Sequence, residues 1–205
     1  FNSNIFKHTQ NLIIDKYSYI EASGNLHILP IGKRAYEYYK KKGYSIKDTY
    51  YDLFNSLDFH HVRTAAEYTM KSFLSQEFDK IEIIYNEFKN VATQIIRNEQ
   101  FLPIPPLESF EDTNIQNIDF IAEPNEVFIF NEIIPKSLKI QFYKSLLESN
   151  ASEHGARMTA MGQATDNAGE LLKQLKLTYN RTRQAAITKE ILEIVGGAEA
   201  LAKES

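Results

Sequence analysis

The sequence predicts a mixed α/β fold: a small domain of helices against a sheet, continuing into one very long C-terminal helix. Three observations predict it. Short apolar runs alternate with segments of helical period over the first 125 residues, the order that builds a layered domain. Two alternating runs, "KIEIIYNEF" and "NVATQIIRNEQFLPI", carry the signature of a β-hairpin. The stretch "RMTAMGQATDNAGELLKQLKLTYNRTRQAAITKEILEIVGGAEAL", from Arg157 to Leu201, contains no proline at all. The domains are therefore read as 1–125 for the α/β body and 126–205 for the helical part.

Each element has its own warrant. Residues 4–16 place Ile5, Leu12 and Ile13 among polar positions, a short helix with Asn2-Ser3 as its cap. "LHILPI" (26–31) reads as a buried strand, and "GKRAYEYYKKKG" as a turn and helix ended by Gly43. "VRTAAEYTMKSFLSQEF" (62–78) repeats apolar residues near helical spacing, through Ala65, Tyr68/Thr69, Phe73 and Phe78. The hairpin follows, with its turn at Asn86–Asn90. "LPIPPLES" is a rigid, extended exit, and "IDFIAEP" (118–124) a last short strand closed by Pro124. Together these suggest a mixed sheet.

From about Glu126 the chain reads as helix. Pro135 suits a first turn, where its missing N–H costs nothing. From there to Leu201 is roughly 65 residues, or about 100 Å of helix. With Met158 at position a, the a and d residues are Ala151, His154, Met158, Met161, Thr165, Ala168, Leu172, Leu175 and Tyr179, a weak heptad seam. After Thr182 the stripe steps by one residue to Ile187, Ile191, Ile194, Ala198 and Leu201, as a stutter makes it do. Glycines 155, 162 and 169 recur every seven residues along one flank. Either that flank is exposed and tolerant, or a neighbouring backbone comes close there. A seam of this length needs a partner helix. Either two copies pair or the partner precedes Phe1.

Composition excludes several function classes. The chain has 205 residues, 43% apolar and 24% charged, as soluble globular proteins do. A formal charge of −4 argues against a dedicated nucleic-acid binder, which needs a Lys/Arg excess. With no cysteine there is no disulfide, thiolate nucleophile or thiolate metal site. No apolar run approaches the roughly 18 residues of a membrane span, so direct membrane insertion is not expected. No G-x-x-x-x-G-K-[ST] motif is present. "PIGKR" reads as a plain helix start, His60-His61 as a polar helix entry, and "YEYYKKKGY" as tyrosines packed under snorkelling lysines. No catalytic, metal or cofactor site is expected.

The stretch "SEHGARMTAMGQATDNAGELLKQLKLTYNRTRQAAITKEILEIVGGAEAL" resembles the C-terminus of the gamma subunit of F-type ATP synthases. Its last part, "ITKEILEIVGGAEAL", is similar to that family's signature. Earlier, "FNSN", "IGKR", "FDKIEIIYNEFKN" and "FIAEP" occur in the order expected of that subunit's α/β domain. The resemblance covers essentially the whole chain. It implies a Rossmann-like domain and a central-stalk rotor whose long helix is half of an antiparallel coiled coil. The other half would be an N-terminal helix of the same subunit. That helix and a Gly-rich strand before "FNSN" are lacking here, so the chain is expected to be part of a longer subunit.

The resemblance further implies a non-catalytic subunit coupling proton-driven rotation of the c ring to ATP synthesis on the beta subunits. The helix would enter the hexamer of alpha and beta subunits, and the body would sit on the ring of c subunits beside epsilon. The protein would be peripheral, on the cytoplasmic face of the bacterial inner membrane. Positions matching beta-subunit contacts are Arg157, Gln184, Thr188 and Glu190. Ile187, Ile191, Ile194 and Leu201 would form an apolar bearing tip, and Glu123 and Pro124 the contact with the c ring and epsilon. From the residues alone, two other readings stand: a coiled-coil dimerisation module, and a small-ligand enzyme using the turn at Gly32.

Overall fold

The computed structural model describes residues 1–47, 50–105, 123 and 125–203, with side chains as far as Ala198. The elements are α1 (Asn2–Lys16), α2 (Ser18–Ala22), β1 (His27–Ile28), α3 (Lys33–Lys41) and β2 (Ser45–Ile46). A 3-10 turn (Leu53–Asn55), α4 (Phe59–Leu74), β3 (Ile81–Phe88) and β4 (Gln94–Leu102) follow. The last part is α5 (Glu126–Phe128), a π turn (Ile129–Ile133) and α6 (Ile134–Lys203). The mixed class holds, with one difference in the strands. Instead of a single mixed sheet, the described strands form two pairs, parallel β1–β2 and antiparallel β3–β4.

Local chemistry explains where elements depart from expectation. The Asn2-Ser3 cap lies inside α1, because the Phe1 carbonyl already accepts the Asn4 N–H at 3.1 Å. "LHILPI" contributes only His27–Ile28 as strand, half-buried rather than buried. Pro30 has no N–H to continue the ladder, which resumes as a single bridge between Ile31 and Tyr50. α4 stops at Leu74, short of the expected Phe78. Gln76 takes φ 58, and the N–H groups of Gln76 and Glu77 return to the carbonyls of Phe73 and Ser72, both at 3.0 Å. That is a Schellman ending with glutamine in the left-handed position. α3 ends the same way at Gly43, φ 82, as its sequence predicts. The hairpin turn is Lys89–Thr93 rather than Asn86–Asn90. Asn90 organises it, its side-chain oxygen accepting the N–H groups of Ala92 (3.0 Å) and Thr93 (2.7 Å). The expected strand 118–124 lies outside the described residues, apart from Glu123.

The chain divides into two compact units, Phe1–Ala156 and Arg157–Ser205. In the first, α4 is the central element. Val62, Ala65 and Ala66 are fully buried, at the i, i+3, i+4 spacing of one helix face. Leu53, Phe101, Leu102, Phe142 and Leu146 complete that core. Burying an aliphatic or aromatic side chain of this size contributes about 1.5–3 kcal/mol. Asp58 caps α4, its carboxylate accepting the His61 N–H at 2.9 Å and meeting the His61 ring. A second, aromatic cluster joins α1 to α3. Phe6 stacks on Tyr38 at 4.3 Å and meets Tyr39 edge-on at 5.5 Å, while Lys40 lies over Tyr36. The tyrosines of "YEYYKKKGY" thus pack inward with lysine above, the arrangement read from sequence.

The second unit is the remainder of α6. Every described side chain from Ala160 to Ala198 is exposed. The 70 residues of α6 correspond to about 105 Å of helix.

Candidate partner interfaces

α6 follows directly on the π turn Ile129–Ile133, not on a loop. Pro135 is the second residue of α6, but the helical run already begins at Glu126, so its missing N–H is not free of cost there, contrary to expectation. It cannot donate to the Asn131 carbonyl, and a wider π turn at that point relieves both the missing bond and the ring clash. Ahead of it, Asn125 caps α5 by accepting the Phe128 N–H at 2.8 Å. Glu123, the expected foot contact, is exposed in a bend; Pro124 lies outside the described residues. Next to it in sequence, Val127, Phe128, Phe130 and Ile133 are all exposed. An open groove of about 500 Å³ lies here, lined by Phe59, Arg63, Phe128, Ile133, Lys136 and Lys139. Glu67 bridges two of its cations, Arg63 at 3.0 Å and Lys139 at 2.8 Å. The Lys139 ammonium holds the Glu67 carboxyl below its usual range. Sequence reading missed this apolar run. Its signal was "VFIF", four apolar residues in a row where an amphipathic helix would interrupt them.

The heptad seam is displayed to solvent. Met158, Met161, Leu172, Leu175 and Tyr179 are each more than half exposed. The three glycines separate. A Cβ at Gly155 would lie 3.0 Å from the Phe88 ring, which would have to give way, and in ordinary contact with Val91 Cα at 3.4 Å. At Gly162 and Gly169 nothing among the described residues lies within 4 Å of such a Cβ.

Further along, helical geometry sorts the remaining site residues. At about 100° per residue, Ile187, Ile191, Ile194 and Ala198 fall within a sector of roughly 60°. Gln184 and Thr188 lie on one flank of that stripe, roughly 60–100° away, and Arg183 and Glu190 on the other, about 40–60° away. All are exposed. Gln184, Thr188 and Glu190 therefore lie within about 9 Å along the axis, on either side of one apolar stripe, with exposed Val195 between Gln184 and Thr188. Arg157 does not join them. It sits 27 positions earlier, about 40 Å away along the helix. Leu201 belongs to α6, but its side chain lies outside those described.

Inside the hairpin the ionisable groups are structural. Burial pushes the Glu82 carboxyl up, but the Lys80 ammonium at 2.8 Å and the Tyr17 hydroxyl at 2.5 Å outweigh it and hold the carboxyl low. Burial, then the Glu99 carboxylate, pushes the Tyr85 hydroxyl up. His60 and His61 stand in the first turn of α4. Among the described residues, no three His, Asp or Glu side chains gather as a metal site. Nor is any described helix long and apolar enough to cross a membrane.

The first unit is a mixed α/β body and the second an exposed helix carrying an apolar stripe, the kind of surface that marks a protein built to meet other chains. The family model described as ATP synthase matches residues 1–201. The ATP synthase gamma chain of Cytophaga hutchinsonii is 57% identical over 202 residues, covering 98% of this chain and 68% of that protein. That of Flavobacterium johnsoniae is 51% identical, covering 98% and 68%. A chain in the rotational state 3 structure of the Euglena gracilis mitochondrial ATP synthase (OSCP/F1/c-ring) shares the fold, with a TM-score of 0.61. It is 21% identical, with 98% of this chain and 67% of that one covered. The chain belongs to the ATP synthase gamma-chain family, and is a subunit of the F-type enzyme.

Proposed function

We propose that this chain is the rotor part of the central stalk, coupling rotation of a c ring to ATP chemistry on the beta subunits without catalysing it. The observation that carries this reading is α6 itself: a stretch of more than 40 residues after Ala156 whose apolar stripe is exposed. Such a stripe in water is unfavourable at about 25 cal/mol per Å², so it is built to be covered. Its first part, Met158 to Tyr179, suits a partner helix of the same subunit. Its last part, Ile187 to Ile194, suits an apolar collar of alpha and beta subunits. Aliphatic contacts give attraction with little angular preference, as a turning bearing requires. Gln184, Thr188 and Glu190 add directional contacts to beta subunits in particular rotor positions, with Arg157 contributing lower on the shaft. Glu123, Pro124 and the exposed Val127–Ile133 run form the foot on the c ring and epsilon. The complex is peripheral, at the cytoplasmic face of a bacterial inner membrane.

The test is a reversible lock. Gln184→Cys, paired with a cysteine on the facing beta subunit, should arrest ATP hydrolysis on oxidation and release it on reduction. A cross-linked complex turning over at the uncross-linked rate refutes the rotor reading.

A further inference from the structure

Between α6 and the hairpin lies a set of directional contacts that the core does not need. The Glu148 carboxylate accepts the Phe88 N–H at 2.9 Å, and the Ser152 hydroxyl donates to the Asn86 carbonyl at 3.0 Å. Both backbone groups lie at the edge of β3, and they are met by side chains one turn apart on α6. The spacings match. Residues i and i+4 of a helix are about 6 Å apart along its axis, and residues i and i+2 of a strand about 6.8 Å. Ser152 is fully buried, the only polar residue among the three largest side chains so buried. Asn86 is 4% exposed. Gly155 completes the contact, since a Cβ there would lie 3.0 Å from the Phe88 ring and push it aside. A shallower strand-to-helix contact of aliphatic groups would hold the two elements together but let them slip. Two hydrogen bonds, one of them to a charged acceptor and so about twice as strong as a neutral one, fix register as well as distance.

We propose that Glu148 and Ser152 are positioning residues forming a clamp that transmits torque between the hairpin and α6. This inference rests on the rotor reading above. Force applied to the body reaches the shaft only if the body cannot slide along the helix or roll around it. Packed helices slip in steps of one turn, about 5.4 Å. The clamp blocks that step, because a one-turn shift would leave the Phe88 N–H and the Glu148 carboxylate without each other.

The experiment uses the assembled enzyme in inverted membrane vesicles carrying the full-length subunit. In Glu148→Ala/Ser152→Ala, proton pumping per ATP hydrolysed should fall at least threefold. The amount of assembled complex should stay within twofold, and amide exchange at Phe88 should rise at least tenfold. Should the double variant not assemble, Ser152→Ala alone is read by the same ratio, with a fall of at least 1.5-fold expected. The conservative variant Glu148→Gln, whose amide oxygen can still accept the Phe88 N–H, should keep the pumping ratio within about 1.5-fold of the unsubstituted subunit. An unchanged ratio despite faster Phe88 exchange overturns the proposal. So does a Glu148→Gln variant that loses as much pumping per ATP as the double alanine variant, because the acceptor it keeps would then not be what holds the two elements. If the rotor reading itself is wrong, the Gln184→Cys lock also leaves hydrolysis untouched. If only the clamp is wrong, that lock still arrests it.

Discussion

Two substitutions on one helix separate what α6 does for the fold from what it holds ready for partners. Phe142 is 4% exposed, its ring centroid 5.8 Å from that of Phe101, itself 1% exposed. Phe142→Ala removes the transfer energy of the ring and leaves a cavity between α4, β4 and α6, together about 3–5 kcal/mol. Against a domain stability of about 5–15 kcal/mol that is a large fraction. Leu175, 33 positions along the same helix, is 58% exposed. Leu175→Ala should cost the isolated chain no more than about 0.5 kcal/mol. Urea titration can read both. With 12 tyrosines and no tryptophan, tyrosine emission reports mainly on the body and far-ultraviolet circular dichroism mainly on the helix. Phe142→Ala should shift the tyrosine transition strongly and Leu175→Ala should leave it in place. A cost below about 1.5 kcal/mol for Phe142→Ala would refute the core assignment. A Leu175→Ala cost above about 1 kcal/mol that grows with protein concentration would mean that a second copy covers the seam.

Three further outcomes follow from the geometry. The His61 backbone N–H, then its ring, hold the Asp58 carboxyl below its ordinary value of 3.8. A lowered carboxyl stabilises above its unfolded pKa and loses that contribution as pH falls through its folded one, so Asp58→Asn should flatten the acid loss of stability below about pH 4. Cysteine placed at Glu123 should cross-link to a c subunit in the assembled complex; cross-linking only to alpha or beta subunits would place the foot elsewhere. Ile194→Ala should weaken assembly mildly and leave coupling largely intact, whereas Gln184, Thr188 or Glu190 substitutions should change turnover more than stability. Rates and complex stability measured for both sets decide it, and greater damage to turnover from the apolar set would reverse the roles.

Legibility in the sequence followed the range of the interactions involved. α3, the hairpin and α6 were readable because their signals are local: a period of 3.6 or 2, a glycine at a helix end, a long stretch without proline. The end of α4 was not, because its left-handed residue is Gln76, a type that carries no such signal. β1 was overestimated because apolar content in "LHILPI" hides the effect of Pro30 on pairing. Gln184, Thr188 and Glu190 could be placed by counting along a helix. Ser152 and Glu148 could not, since a serine and a glutamate on a helix look solvated until the strand edge that binds them is in place. "VFIF" could have been noticed, but an apolar run reads as core unless something reveals that it stays exposed.

The glycines of α6 connect these two kinds of information. Each costs about 1 kcal/mol relative to alanine in a helix interior, so three at heptad spacing weaken the helix by a few kcal/mol. At Gly155 the return is visible: the Phe88 ring approaches where a Cβ would stand, and the clamp of Glu148 and Ser152 closes beside it. At Gly162 and Gly169 the described residues provide no such contact. The same residue type, in the same register, is thus explained within the body by packing and beyond Ala156 by nothing among the described residues. On the rotor reading the missing return comes from outside, where a smooth flank lets a neighbouring backbone lie close to the shaft. The apolar seam beside those glycines points the same way. Met158, Met161, Leu172 and Leu175 lower the solubility of a bare helix and strengthen a covered one. A helix with both features is marginal alone and stable in company, which is the property a shaft assembled inside other subunits requires.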